Sequence, residues 1–380
     1  MKKIAVLIIS ILSFVGCGHD DGDDRIIVLD DQIPSVTVLF SMNGPGDNGY
    51  NDLIVNGLMH FCDSADIALH TFQPSSMDEA RQMTLKWLSE TEGRTPQSML
   101  VLASSTYADI ASGLDSITDG KRCVVLIESE KTDMPKGVMT ACVNRRGVMY
   151  LAGALSARTP AYIVAAMPGD EIVDVAIDAF KAGYESHEMG YRIEDIHYLS
   201  DNADGYSMPN DAYKYMADLM HAKQEQSFMS GDVYEQRYIL LPMAGGSNTG
   251  IYYYLMQSFN SLQSFQAVVG MDVDYSNRLD MLPFSVVLNV DKMLCDIIEN
   301  WKGGMALAGH LTYSMADGYA NVILNKAFNN IGIYSLEEYV EDIGDGNYYV
   351  YQDYLPDDYW TNKYDELLSE ASAYEDSCLK

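Results

Sequence analysis

Positive charge is what this 380-residue chain most lacks: 24 lysines and arginines stand against 55 aspartates and glutamates, a formal charge of −31. A surface of that sign repels phosphate backbones, which excludes nucleic-acid binding through a basic groove. It equally excludes flat docking on an anionic membrane through a polybasic patch. Cysteine is sparse, at six residues, with no CxxC pair and no Cys/His cluster, so a structural zinc site has no ligand set. The seven histidines are scattered, and no GxSxG, HExxH or Walker A pattern occurs. The glycine-rich loop over 44–49 has neither the lysine nor the serine of a phosphate-binding loop. Asp47, Asp272 and Asp274 can in principle form an acid/base pair of the glycosidase kind, but the reading is of a protein that is not an enzyme and needs no cofactor or metal.

What is present is ordinary globular chemistry, 48% apolar and 21% charged residues, in a chain long enough for two lobes of roughly 150 residues each. The first segment has its own character. Met1-Lys2-Lys3 precedes an apolar run from Ile4 to Val15, too short for the ~20 residues of a membrane span and typical of a secretory signal. It ends in Gly16-Cys17, which resembles the lipobox of bacterial lipoproteins. That resemblance implies removal of residues 1–16 and diacylation of Cys17; a plain cleaved signal with an incidental cysteine is the alternative. Residues 17–34, acidic and glycine-containing from Gly18 to Asp24, read as a tether. The expected location is therefore a bacterial membrane, held by lipid alone, facing the periplasm or the cell surface. Five cysteines remain, an odd number, so at least one is unpaired, and most read as small core residues.

From Ile33 the chain alternates strand-like and helix-like segments. Val36–Phe40, Ile67–Phe72, Ser98–Ala103 and Cys123–Ile127 are short apolar runs separated by amphipathic stretches, and the pattern restarts at Ala161. Continuous apolar strands between helices predict parallel sheets covered on both faces. The expected fold class is α/β, with two doubly wound parallel-sheet lobes. Lobe one takes 35–157 plus 266–304 and lobe two 158–265 plus 305–331, with crossings near 157–160, 262–266 and 304–311. Residues 332–380 form an acidic, tyrosine-rich C-terminal extension: from Glu337 onward 13 acids face only Lys363 and Lys380. In such sheets ligands bind outside the carboxyl ends of the strands, which puts the loops over 44–50, 103–105, 128–130, 167–170, 243–248 and 272–274 on one cleft.

Several strings on those loops are familiar as a set. Gly46-Asp47-Asn48-Gly49-Tyr50-Asn51-Asp52 resembles the D-K-S-F-N-Q loop of the basic membrane lipoprotein family, the PnrA-like purine-nucleoside-binding lipoproteins of ABC importers. Tyr150-Leu151-Ala152-Gly153-Ala154-Leu155-Ser156-Ala157, Phe180-Lys181-Ala182-Gly183-Tyr184 and Ala244-Gly245-Gly246-Ser247-Asn248-Thr249-Gly250 are similar to later segments of that family, as are Gly270-Met271-Asp272-Val273-Asp274 and Ser285-Val286-Val287-Leu288-Asn289-Val290-Asp291. The resemblance, over roughly 36–325, implies a type I periplasmic-binding fold, a nucleoside as ligand and an ABC permease as partner. The departures concern ligand. Tyr50 stands for the stacking phenylalanine, Leu288 for a ribose-side lysine and Asn48 for the loop lysine, while the loop after the third strand offers hydroxyls in place of an acid.

Seven residues are candidate ligand contacts. Tyr50 can stack on a planar ring. Asn51 offers a donor–acceptor fork, or else caps the following helix. Asp272 and Asp274, two apart past a strand, can accept from vicinal hydroxyls. Tyr206 is a second aromatic, Gly246 lets backbone approach, and Ser104 supplies a hydroxyl. Asp47 reads as ordering its own loop. The expected function is a lipid-anchored solute-binding protein that closes over a small hydroxylated ligand, a nucleoside first and a free sugar second. The alternative from another class is a surface interaction protein with a degenerate pocket, binding a protein or glycan through its acidic extension.

Overall fold

The computed structural model describes residues 32–187, 190–231, 237–258, 266–275, 282–305, 308–326, 328, 334, 336–344, 347–356 and 359–378. The signal segment, Cys17 and the tether up to residue 31 lie outside the described residues. No helix among the described residues is long and apolar enough to cross a membrane.

The first half of the chain runs β1 (Ser35–Phe40), α1 (Tyr50–Ser64), β2 (Ala68–Phe72), α2 (Met77–Thr91), β3 (Ser98–Ala103), α3 (Ala108–Ser112), β4 (Arg122–Ile127), β5 (Val138–Val143) and α4 (Arg146–Ser156). It continues through β6 (Ala161–Ala165), α5 (Glu171–Ser186), β7 (Ile193–Tyr198), α6 (Pro209–Ser230), β8 (Tyr238–Met243), α7 (Asn248–Ser258), β9 (Gln266–Val268), β10 (Gly270–Asp272) and β11 (Phe284–Leu288). Last come α8 (Val290–Lys302), β12 (Gly309–Tyr313), β13 (Ala320–Leu324), a hairpin of β14 (Leu336–Gly344) and β15 (Asn347–Tyr354), and α9 (Tyr359–Cys378).

One six-stranded sheet has the order β12-β5-β4-β3-β1-β2, all parallel. Its inner strands β1, β3 and β5 are buried along their whole length, so they read as unbroken apolar runs rather than alternating ones. α1 covers this sheet with Ile54, Leu58 and Cys62, a helical stripe at spacings of four, and α8 packs beside it with Val290, Met293, Leu294, Ile297 and Trp301. The second sheet has the order β7-β6-β8-β9, again parallel. Val269 alone separates β9 from β10, and its N–H donates to Leu240 O at 2.9 Å. The ladder therefore continues through β10-β11-β13, where β13 is antiparallel. That antiparallel edge is the one departure from two purely parallel sheets.

The pairing corrects the expected lobe boundaries. β9 belongs to the second sheet, and β10 and β11 to a three-stranded sheet that adjoins it through Val269, not to lobe one; β12 belongs to the first sheet, not to lobe two. α4 likewise packs on α5 of the second lobe. The chain consequently crosses at 144–145, at Asn289 and at 314–319. It does not cross at 157–160, at the described part of 262–266, or at 304–311. Backbone bonds tie the crossings together: Asn144 N–H donates to Tyr313 O and Asn289 N–H to Tyr319 O, each at 2.8 Å. Sequence pattern missed these points because β5 and β12 are short strands of six and five residues whose pairing is set by contacts distant in sequence.

The α4–α5 contact explains two of the familiar strings. A Cβ on Gly153 would sit 2.0 Å from Phe180 O, and one on Gly183 would sit 1.9 Å from Tyr150 O. Each glycine accepts the backbone of the facing helix, a contact no other residue permits. Gly183→Ala is expected to lower stability by about 1–3 kcal/mol or more, the cost of forcing a methyl into a packed core. Urea denaturation measures this, and an unchanged midpoint would show that the helices can slide apart.

The C-terminal extension is built into the body. α9 stacks Tyr374 on Tyr150 with ring centroids 4.7 Å apart, and Tyr364 Oη donates to Val322 O at 2.6 Å. Trp360 Nε1 donates to Tyr334 O at 2.7 Å, and His187 pairs with Glu370 at 2.7 Å. Glu375, only 2% exposed, accepts from Met315 N–H on the third crossing. The cysteines described (Cys62, Cys123, Cys142, Cys295, Cys378) are all free, three of them buried as core residues.

Candidate functional site

Every loop that follows the carboxyl end of a central strand turns toward the space between the two sheets. There they enclose a cavity of about 110 Å³. The first lobe contributes Ser41, Asn43 and Asp47 after β1, Tyr50 and Asn51 at the start of α1, Ser104 and Ser105 after β3, and Glu128 after β4. The second lobe contributes Asp170 and Ile172 at the start of α5, Tyr206, Met243, Gly245 and Gly246 after β8, Asn248, and Met271 and Asp272 of β10. Arg145 reaches in from the first crossing.

The lobes touch across this space. Asn43 Nδ2 donates to Tyr206 O, and Ser207 Oγ donates to Asn43 Oδ1. Ser105 Oγ donates to Asp170 Oδ2 at 2.9 Å, and Tyr275 Oη to Asn48 O at 3.1 Å. Gly246 makes the contact possible, since a Cβ there would lie 2.8 Å from Asn43 Nδ2. Its missing side chain admits the opposite lobe, which differs from the ligand approach expected of it.

The β1–α1 loop has the spacing G-x-G-x-x-G in Gly44-Pro45-Gly46-Asp47-Asn48-Gly49, following a strand and opening a helix, where a dinucleotide pyrophosphate would sit. Here carboxylates already occupy that place. Asp47 accepts from the N–H groups of Gly49, Asn51 and Asp52, and Asp52 from those of Gly46 and Asn48, over 2.6–3.3 Å. The donors a phosphate needs are taken, and its charge would meet two carboxylates.

Of the seven residues singled out from sequence, Tyr50, Asn51, Asp272, Tyr206, Gly246 and Ser104 line the cavity. Asp274 does not. It is exposed and outside the lining, because the backbone leaves the extended form at Asp272 (φ 70°) and the two carboxylates no longer share a face. Asn51 is 3% exposed and its amide is engaged, donating to Asp47 Oδ2 at 2.9 Å and meeting Ser41 Oγ. Ser104 Oγ caps the short turn after β3, accepting from Thr106 N–H at 3.3 Å. Tyr206 Oη donates to Asp170 Oδ2 at 3.0 Å. Asp272 was expected to follow a first-lobe strand with Tyr50; it comes from the opposite lobe, so the two residues approach the cavity from either side.

Arg145 is the residue that sequence reasoning missed. It is 8% exposed and forms an ion pair with Glu128, itself 6% exposed. It is the only cation among the described lining residues. The lysine absent at Leu288 would not have served, since Leu288 is wholly buried in the core. A faint signal existed in Asn144-Arg145-Arg146, two arginines just past an apolar strand. Burial shapes the ionisation of the site. Asp272 is pushed up to about 6, first by desolvation, with Arg145 pulling down and Asp47 and Glu128 adding to the rise. Glu128 is also raised by burial, against the pull of Arg145. Burial raises the Tyr50 and Tyr206 phenols, which therefore stay protonated.

Two α/β lobes, three chain crossings and one inter-lobe cavity lined from both sheets define the type I periplasmic-binding fold. Solved structures share it. An ABC transporter solute-binding protein from Aeropyrum pernix K1 matches with a TM-score of 0.57 at 17% identity, over 76% of each chain. A transcriptional activator of the comK gene from Bacillus halodurans matches at 0.55 and 13% identity, over 90% of this chain and 97% of that one. A glucose-galactose binding protein from Geobacillus stearothermophilus matches at 0.52 and 14% identity, over 78% and 98%. No family model matches the chain, and no curated protein does.

Proposed function

We propose that this is a lipid-anchored solute-binding protein that closes two lobes over one small hydroxylated ligand and presents it to an ABC permease. The observation that carries the reading is the cavity itself, walled by both lobes and sealed by the Asn43 and Ser105 contacts. Two tyrosine rings supply faces for a ring to pack on, and polar groups from both sheets converge on it. The lipobox-like Gly16-Cys17 supports the anchor, and the fold shared with solute-binding proteins supports the permease.

Size reorders the ligand classes. At about 110 Å³ the cavity falls below the ~300–1,000 Å³ of pockets that hold drug-sized ligands. A single sugar-sized ring therefore ranks above a nucleoside, which carries a base as well as a ribose. A thermal-shift screen of monosaccharides and nucleosides tests this. A true ligand at 100 times its dissociation constant is expected to stabilise the protein by about 2.7 kcal/mol. Response to a monosaccharide supports the reading, response to nucleosides alone restores the larger ligand, and silence across both panels overturns solute binding.

A further inference from the structure

We infer that the solute bears one ammonium group, received by the carboxylate of Asp272 beside the Glu128–Arg145 pair. This rests on the solute-binding reading and names its ligand class, a small hydroxylated amine of the amino-sugar kind. The argument is an account of where each negative charge in the cavity goes.

Four carboxylates line the cavity: Asp47, Glu128, Asp170 and Asp272. Asp47 sits at the N-terminus of α1 and accepts from Asn51 N–H at 3.0 Å and Asn51 Nδ2 at 2.9 Å. Asp170 caps α5, accepting from the N–H groups of Ile172 and Val173 at 3.1 and 3.3 Å, and also from Ser105 and Tyr206. Each of these two faces roughly half a positive charge from its helix. Glu128, 6% exposed, pairs with Arg145 through Oε2 and also faces the phenol of Tyr50.

Asp272 differs from the two helix-bound acids. It accepts no hydrogen bond from the described residues, and its backbone, like that of Glu128 (φ 60°), is held in the left-handed region, at φ 70°, unusual for a residue with a side chain. Among the described lining residues Arg145 is the only cation; it pairs directly with Glu128 and only pulls on Asp272 through space. The described titratable groups facing Asp272 are otherwise Asp47, Glu128 and the phenols of Tyr50 and Tyr252, none of them positive. A sugar hydroxyl would satisfy its hydrogen-bonding capacity but leave its charge uncompensated in a desolvated space; an ammonium satisfies both. The rings of Tyr50 and Tyr206, also in the wall, favour a cation over their faces. A metal ion does not answer, because no three metal-ligating groups converge among the described residues.

Matched pairs test the inference. The full-length mature protein is titrated calorimetrically at pH 7.5 with glucosamine against glucose, and galactosamine against galactose, each with its N-acetyl derivative. The expected result is binding of an amine at least tenfold tighter than its neutral partner, with N-acetylation removing the advantage. Asp272→Asn keeps an acceptor but not the charge, and should bring amine and neutral sugar to within about twofold of each other. Neutral sugars binding as tightly as amines, or an Asp272→Asn protein that still prefers the amine, would overturn the ammonium while leaving solute binding intact. Silence from every amine and every neutral sugar would overturn the ammonium, and silence from the nucleosides as well would overturn solute binding.

Discussion

Arg145→Met is expected to destabilise the protein by about 3–5 kcal/mol near pH 8, the penalty for removing one partner of a buried ion pair. Arg145 is 8% exposed, Glu128 is 6% exposed, and no other positive residue is among the described residues of the cavity wall. Without Arg145, the Glu128 carboxyl loses the main influence that opposes its burial, leaving only the Tyr50 phenol, and its proton affinity rises further above the ordinary range. The sign of the pH dependence follows. A glutamate held above its unfolded pKa destabilises the fold when ionised, so the loss should shrink as the pH is lowered toward 5 and the group takes a proton. Chemical denaturation at several pH values reads both effects. Arg145→Met combined with Glu128→Leu removes both charges and should recover most of the loss, because an apolar pair of similar volume often replaces a buried ion pair at little cost. A single variant within 1 kcal/mol of wild type would mean that water already screens the pair.

How much of this could be read from residues alone depends on what each string does. The alternation of apolar runs and amphipathic stretches announced both sheets, because strands covered on two faces have no reason to alternate. The strings around Gly153, Gly183 and Gly250 were conspicuous for a packing reason: each glycine lies within about 2 Å, measured from its absent Cβ, of a carbonyl on a facing segment. Such strings identify how helices lock together, so they carry information about fold and little about ligand. Lobe membership was not legible. A short strand such as β12 joins the first sheet through pairing with β5, 170 positions away in the register of Gly309 with Met139. No local pattern encodes that choice.

The site was legible in its loops and not in its electrostatics. Placing the ends of strands at a cleft located Tyr50, Ser104 and Asp272, since topology alone sends those loops to one edge, while Tyr206 came from the family resemblance. It could not reveal which acids are already spent. Asp47, read as ordering its own loop, and Asp170, which was not singled out, both hold helix N-termini. Nor could it reveal Arg145, because a residue on a crossing belongs to neither lobe's strand pattern. Asp274 failed for a local reason, the left-handed turn at Asp272.

That turn leads to the second large effect. Replacing Asp272 with Asn should remove a fall in stability that the wild-type protein suffers on going from about pH 4 to about pH 6. In the fold its carboxyl is pushed up to about 6 from an ordinary 3.8, chiefly by desolvation. Between those values the folded chain holds a proton that the unfolded chain has released. Unfolding then releases protons, and stability declines as pH rises until the folded group too is ionised. A shift of about two units corresponds to roughly 3 kcal/mol at 1.36 kcal/mol per unit. Asn cannot ionise, and it tolerates a positive φ better than most residues, so the backbone at this position is kept. Glu375, pushed up to about 7 by burial on α9, adds a decline of its own that extends to higher pH. The informative quantity is therefore the difference between variant and wild type, not either curve. That difference should be near zero at pH 4, grow through pH 6, and settle at roughly 3 kcal/mol in favour of the variant above pH 7. A flat difference would show that Asp272 is already compensated in the ligand-free protein, which would also remove the charge that the proposed ammonium is meant to answer.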